Sequence, residues 1–231
     1  LVSYYKERKK KEKRIFMKKI ASPLFQDLSE AELDTLAAAG HLRTRQFAKH
    51  EVIFHAGSCV REIGIVLRGS VHIENLDLWG TKSILSSVGA GQAFAETYAF
   101  CGEALMVDAV AAEHCEILFL HTAAFTDARI EPALKDKLLR RLLAVSMRKN
   151  LSLSQRIFCT TPKTVRGRLL TYFSAQAARC GRMEFEVPFN RQQMADFLSV
   201  DRSALSAELS KMKKEGLIDY HKDKFTLLQE H

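Results

Sequence analysis

The sequence predicts an α+β protein: an N-terminal β-roll of jelly-roll type, then one long helix, then a C-terminal winged helix-turn-helix. Three observations lead there. Short apolar or alternating runs punctuated by glycine fill the first half. A stretch from Pro132 to about Phe158 has no glycine or proline and carries two apolar stripes. The segment from Phe189 to Leu217 parses as two short helices with a tight break, followed by a pair of strands. On this layout residues 1–20 are a basic N-terminal tail, 21–130 the β-roll domain, 131–159 the long helix and 160–231 the winged helix-turn-helix. A chain of 231 residues, 47% of them apolar, has the length and the material for two cores.

The tail carries most of the charge. Residues 1–20 hold nine Lys/Arg against two Asp/Glu, a balance of +7 out of a net +8. Blocks of like charge stay solvated and disordered. Met17-Lys-Lys-Ile reads as an ordinary start, which makes the residues before it an upstream artefact of start assignment. The alternative is a real basic extension, which would add salt-sensitive, non-specific DNA affinity. After the tail, Leu28–Leu36 reads as a short helix with Ser29 as N-cap and Glu32 closing a capping box. Strands are expected at Val52–Phe54, Ile63–Leu67, Val71–Ile73, Ser83–Leu85 and Glu116–Leu120, with Gly57, Gly69, Gly80, Gly89 and Gly91 at the turns. Many short strands at this spacing mean a barrel or jelly roll.

Pro132 is allowed at a helix start, and the helix that follows runs some 27 residues, about 40 Å at 1.5 Å per residue. Leu134, Leu138, Leu142 and Val145 form one stripe; Leu139, Leu143, Met147, Leu151 and Ser154 form another. Two stripes mean cover on two sides, either by the β-roll and a symmetry mate or, for a single helix, by burial inside a monomer. Leu138, Leu142 and Val145 are the expected dimerisation residues. Pro162 cannot continue a helix, so Thr160–Lys163 is the expected hinge.

Asn190 is a good N-cap for the first helix of the motif, whose buried face is Met194, Ala195 and Leu198. Small Ala195 suits two helices crossing steeply at a short turn. Ser199-Val200 is the break, Asp201 caps the second helix, and Leu205, Leu209 and Met212 form its buried stripe. Gly216 stops it, as a glycine just past a helix end does. Leu217–Tyr220 and Phe225–Leu228 then read as two strands around His221–Lys224, a wing, preceded by the strand-like Met183–Val187. Residues 160–231 balance at +3, which suits phosphate contacts around a helix sized for the major groove.

The series KHEVIFHAGS, IGIVLRGSVHI, DLWGTKSILSSVGAGQAFAE and NRQQMADFLSVDRSALSAELSKMKKEGLI resembles the Crp/Fnr family of bacterial transcription regulators over nearly everything from Pro23 to Leu228. The resemblance implies a cyclic-nucleotide-binding-like β-roll that senses an effector, a dimerisation helix, and a winged helix reading an inverted repeat of double-stranded DNA. RNA polymerase is an implied partner where such a protein activates. Arg202 matches the family's recognition-helix arginine, and Ser203, Ser206, Ala207, Ser210, Lys211, Gln192 and Arg191 are the other expected DNA-binding residues. Ala207 departs from a commonly base-reading arginine, and Glu208 is polar where an apolar residue is usual, so a different operator is expected.

In the family's cyclic-AMP binders a Gly-Glu pair and, about ten residues on, an Arg-Ser pair hold the ribose and phosphate. Here Glu96 stands at the glutamate, Ala95 replaces the glycine, and Leu105 and Met106 fall at the arginine and serine. An apolar pair cannot neutralise a phosphate, so cyclic AMP is disfavoured. A small apolar effector is expected instead, lined by Ala95, Glu96, Leu105, Met106 and Leu151.

The remaining motifs mostly exclude. Cys59, Cys101, Cys115, Cys159 and Cys180 include no CxxC, and no cysteine precedes Cys59, which disfavours the family's four-cysteine iron–sulfur sensor. Each is expected as a small buried hydrophobe. Haem is possible, with His114-Cys115 the pair to watch among His41, His50, His55, His72, His114 and His121. A cupin-like metalloenzyme, the competing class, needs a His-x-His that is missing beside His50, Glu51 and His55. No GxSxG, P-loop or HExxH occurs. No metal site, no enzymatic activity and no membrane segment are therefore expected, and the cytoplasm is the expected location.

Overall fold

The computed structural model describes residues 22–76 and 82–228; the basic tail and Gly80 lie outside the described residues. The chain divides into two compact units, Leu1–Met147 and Arg148–His231, and the division falls inside the long helix.

In the first unit, α1 (Glu30–Ala38) is followed by β1 (Leu42–Phe47), β2 (Val52–Phe54), β3 (Glu62–Arg68), β4 (Val71–Leu76), β5 (Lys82–Val88), β6 (Ala93–Phe94), the short α2 (Glu96–Cys101), β7 (Asp108–Ala111) and β8 (Cys115–His121). Ser29 and Glu32 form the expected reciprocal capping box at the start of α1, with Ser29 N donating to Glu32 Oε2 at 2.7 Å. Two antiparallel four-stranded sheets make the roll, in the orders β1-β8-β3-β6 and β2-β7-β4-β5.

The two central strands of the first sheet, β8 and β3, are buried on both faces, which explains their unbroken apolar runs. Along β8, Cys115, Ile117 and Phe119 enter the inter-sheet core, while Leu118 and Leu120 face the core made with the helices. Along β3, Val66 points inward and Ile63 and Ile65 point to the helices. Phe54, Phe94 and Phe119 fill the roll, with ring centroids 5.8 and 5.6 Å apart. Gly64 makes room for this: a Cβ there would lie 2.2 Å from the Phe94 ring.

Three strands had no counterpart in the sequence reading: β1, β6 and β7. β1 reads LRTRQF, and its four central residues are exposed because it lies at a sheet edge. Arg43 and Arg45 lay their guanidinium groups 4.2 and 4.5 Å from the Phe119 and Phe47 ring centroids, so the charged residues cover aromatics rather than alternate with them.

The long helix α3 (Pro132–Thr160) corrects one assignment. Leu138 and Leu142 are 0% and 5% exposed and belong, with Leu134, to the core formed by α1 and the first sheet. They are occupied within their own protomer and are not dimerisation residues; Val145, on the same stripe, is half-buried. The other stripe is the open one: Leu139 and Leu143 are 46% and 57% exposed, and Met147, Leu151, Ile157 and Phe158 are exposed as well.

The second unit continues from α3 into α4 (Val165–Cys180), β9 (Glu184–Glu186), α5 (Arg191–Leu198), α6 (Arg202–Lys214), β10 (Ile218–His221) and β11 (Lys224–Leu227). α4 was missed in the sequence, although Leu169, Phe173 and Ala177 carry its period. The three-stranded sheet β10-β11-β9 is antiparallel, and the wing turns tightly through Lys222-Asp223. Phe173, Phe185 and Phe225 meet beneath it, with Phe173 and Phe225 centroids 4.8 Å apart. Cys159, from the last turn of α3, is part of this core.

Candidate nucleic-acid interface and sensing region

The two helices of the motif start on side-chain caps. Asn190 Oδ1 accepts from Gln193 N at 2.9 Å, and Gln193 Oε1 accepts from Asn190 N at 3.0 Å, a capping box hidden in NRQQ. Met194, Ala195 and Leu198 are buried, and Ser199 ends α5 in the left-handed region at φ 53°. Asp201 then caps α6, its carboxylate accepting from Ser203 N at 2.7 Å and Ala204 N at 3.1 Å. Those bonds, led by the one from the Ser203 hydroxyl, hold the Asp201 carboxyl below its ordinary range. Leu205, Leu209 and Met212 are buried. Beyond Glu215 the chain closes in a Schellman motif, with Gly216 N bonded to Lys213 O and Leu217 N to Met212 O, and Gly216 at φ 76°.

Arg202, Ser203, Ser206, Ala207, Ser210 and Lys211 are all exposed on α6. Each serine turns its hydroxyl proton inward. Ser203 donates to Asp201, Ser206 to Arg202 O at 2.9 Å, and Ser210 to Ser206 O at 3.0 Å. What they present outward is acceptor lone pairs beside a methyl group and two cations. Gln192 is exposed, with its amide on Asp196 Oδ1 at 2.9 Å. Arg191 is half-buried and has partners within the chain. Its guanidinium is 5.0 and 5.1 Å from the Tyr220 and Phe225 centroids and donates to Lys222 O at 3.2 Å, so it braces the wing.

The turn between α5 and α6 is held by two arginines that sequence reasoning did not single out. Arg168 donates to Leu198 O at 3.0 Å, Ser199 O at 2.7 Å and Pro162 O at 2.9 Å; Arg156 donates to Asp196 O at 3.0 Å. Cations belong at the carbonyl end of a helix. Within the expected hinge, Thr160–Lys163, the Pro162 carbonyl is the one that Arg168 holds. Glu208, odd for its polarity in the sequence, has a partner in Arg166 at 2.6 Å.

The sensing residues are only partly brought together. Ala95 stands at φ 61° before α2, a conformation that favours glycine. Glu96 is buried at the first position of α2, and Leu105 is buried in the inter-sheet core against which Ala95 packs. Met106 is 77% exposed, in the bend that follows Leu105, and leaves the expected pocket. Leu151 lies in the second unit on the exposed face of α3.

The cysteines divide. Cys59, Cys101 and Cys180 are exposed, contrary to expectation, whereas Cys115 and Cys159 are buried. Burial raises the Cys159 thiol above its ordinary value. Cys115 Sγ, beside exposed His114, donates to Ser70 O and Glu113 O at 3.0 and 3.1 Å. Among the described residues no group of three or more His, Cys, Asp or Glu is placed to hold a metal ion, and no helix is long and apolar enough to cross a membrane.

The fold and these sites can be compared with known proteins. A family model of the cyclic nucleotide-binding domain matches residues 44–129, and one of the Crp-like helix-turn-helix domain matches residues 167–231. Among solved structures, OCPA-complexed CprK is similar with a TM-score of 0.58 at 14% identity, over 83% of this chain and 88% of that one. A cyclic nucleotide-binding domain from Methylobacillus flagellatus gives 0.54 at 19% identity, over 62% and 83%. The catabolite activator protein of Thermus thermophilus gives 0.47 at 25% identity, over 89% and 93%. No curated protein sequence matches the chain.

Proposed function

The chain has the fold of the Crp/Fnr family of DNA-binding transcription regulators, and from that premise we propose that it works as a homodimer on an inverted-repeat operator. One α6 enters each of two successive major grooves, about one helical turn of DNA apart. The observation that carries this reading is the division of α6 into a buried apolar stripe and an exposed face running from Arg202 to Lys211. Arg202, a five-donor fork at the start of the helix, suits the N7 and O6 acceptors of a guanine. The outward lone pairs of Ser203 and Ser206 suit amino donors on cytosine or adenine, and the Ala207 methyl suits a thymine methyl.

The open stripe of α3 supplies the dimer contact, through Leu139, Leu143, Met147 and Leu151 with Ile157 and Phe158 continuing it. DNA affinity is gated by a small effector other than cyclic AMP in the β-roll. Apolar Leu105 and outward Met106 in place of an arginine and serine support the exclusion. The gating acts by shifting a pre-existing equilibrium between states of unequal DNA affinity. RNA polymerase is a partner where the operator position makes the protein an activator.

Selection of duplexes from a random pool by the purified protein tests the reading. Enrichment of an inverted repeat, bound by two chains, is the expected result. Enrichment of nothing, or of a half-site bound by one chain, would refute it. Native mass spectrometry and an absorption spectrum of gently purified protein would reveal a retained effector or haem.

A further inference from the structure

Arg166, near the start of α4, reaches α6 at Glu208 and the C-cap of that helix at Glu215. Its Nε donates to Glu208 Oε1 at 2.6 Å, and its Nη1 lies 2.8 Å from Glu215 Oε2. Its Nη2 is buried with no hydrogen-bond partner among the described residues, so the fork is committed to this joint. Seven residues, nearly two turns, separate the two carboxylates, which puts them on one edge of α6 beside the buried stripe.

We propose that Arg166 is a positioning residue for DNA recognition: it sets the roll of α6 about its own axis and thereby which side chains meet the base edges. This rests on the DNA-reading function proposed above. Leu205, Leu209 and Met212 fix how deeply α6 sits, but apolar packing is non-directional and resists rotation weakly. Two charge-assisted bonds from one rigid guanidinium are directional and act two turns apart. A roll of about 20° at a radius of about 5–6 Å moves a side-chain tip by about 2 Å. That displacement is larger than a base-edge hydrogen bond tolerates. Lysine cannot replace the fork, since a single ammonium cannot serve both carboxylates in this geometry. Glu208 is thus polar because α4 offers it an arginine.

The test uses the full chain and the duplex that the unaltered protein enriches. Affinity for that duplex and for an unrelated duplex is measured at several salt concentrations, alongside thermal unfolding. Arg166→Lys keeps the charge and loses the fork. It is expected to lower the ratio of specific to non-specific affinity about tenfold, the weight of one good base contact. Non-specific affinity and its salt slope should stay unchanged, because the Arg166 guanidinium is engaged by Glu208 and Glu215 and the charge is kept. An unchanged ratio, or specific and non-specific affinity falling together, overturns the proposal alone. A wild-type chain that enriches no duplex overturns the DNA-reading function and this proposal with it. Where Arg166→Lys fails to fold, Glu215→Gln decides by the same ratio: a fall supports the clamp, and no change overturns it.

Discussion

Individual side chains do separable jobs in this protein, and substitutions should separate them. Arg202→Ala is expected to cost about 1–3 kcal/mol against the selected operator and to relax preference at one base pair per half-site. Competition binding over single-base operator variants measures it. Asp127 is a stability residue. His41 Nε2 lies 2.7 Å from its Oδ2, and Arg129 Nη2 lies 2.6 Å from the same oxygen. The Arg129 bonds, and after them the His41 bond, hold the Asp127 carboxyl well below the usual carboxylate range. A carboxyl depressed in the folded state is protonated first in the unfolded chain. Its contribution is therefore complete above about pH 4 and is lost as pH falls below that. Asp127→Asn should lower the denaturant midpoint at pH 7, and the gap between the two proteins should narrow as pH falls below about 4.

At the scale of elements, the long helix separates two kinds of apolar residue that look alike in sequence. Leu138→Ala should destabilise the first unit by about 2–5 kcal/mol, because Leu138 is fully buried among Leu36, Leu120 and their neighbours. Leu143→Glu should leave the fold intact and convert the proposed dimer to monomer in sedimentation or light scattering, since Leu143 is more than half exposed in its own chain. A dimer that survives Leu143→Glu and Met147→Glu together would remove α3 from the interface. The Asp201 cap is a local counterpart: Asp201→Ala should cost about 1 kcal/mol of stability in the second unit, read as a shift in its unfolding midpoint.

Across the whole molecule, what was legible in the sequence follows the range of the interaction. The Ser29–Glu32 capping box, the Asn190 and Asp201 caps, the break at Ser199, the helix stop at Gly216 and the buried faces of α5 and α6 depend on neighbours within about four residues, so residue order carries them. Strands covered on both faces, such as β3 and β8, betray themselves as apolar runs. β1 did not, because outward arginines occupy its middle and the ring that Arg43 covers, Phe119, lies far along the chain.

By itself the sequence determined the order of the domains, the periods of α3, α5 and α6 and the exposed face that begins at Arg202, because these follow from backbone preference and spacing. Only the tertiary structure decided which stripe of α3 is enclosed, that Met106 leaves the roll while Leu105 enters it, that Arg191 braces the wing, and that Glu208 answers an arginine 42 positions earlier. The physical reason is that periodicity marks a face without naming its occupant. Likewise, a charged side chain finds its partner through space, where sequence separation sets no limit.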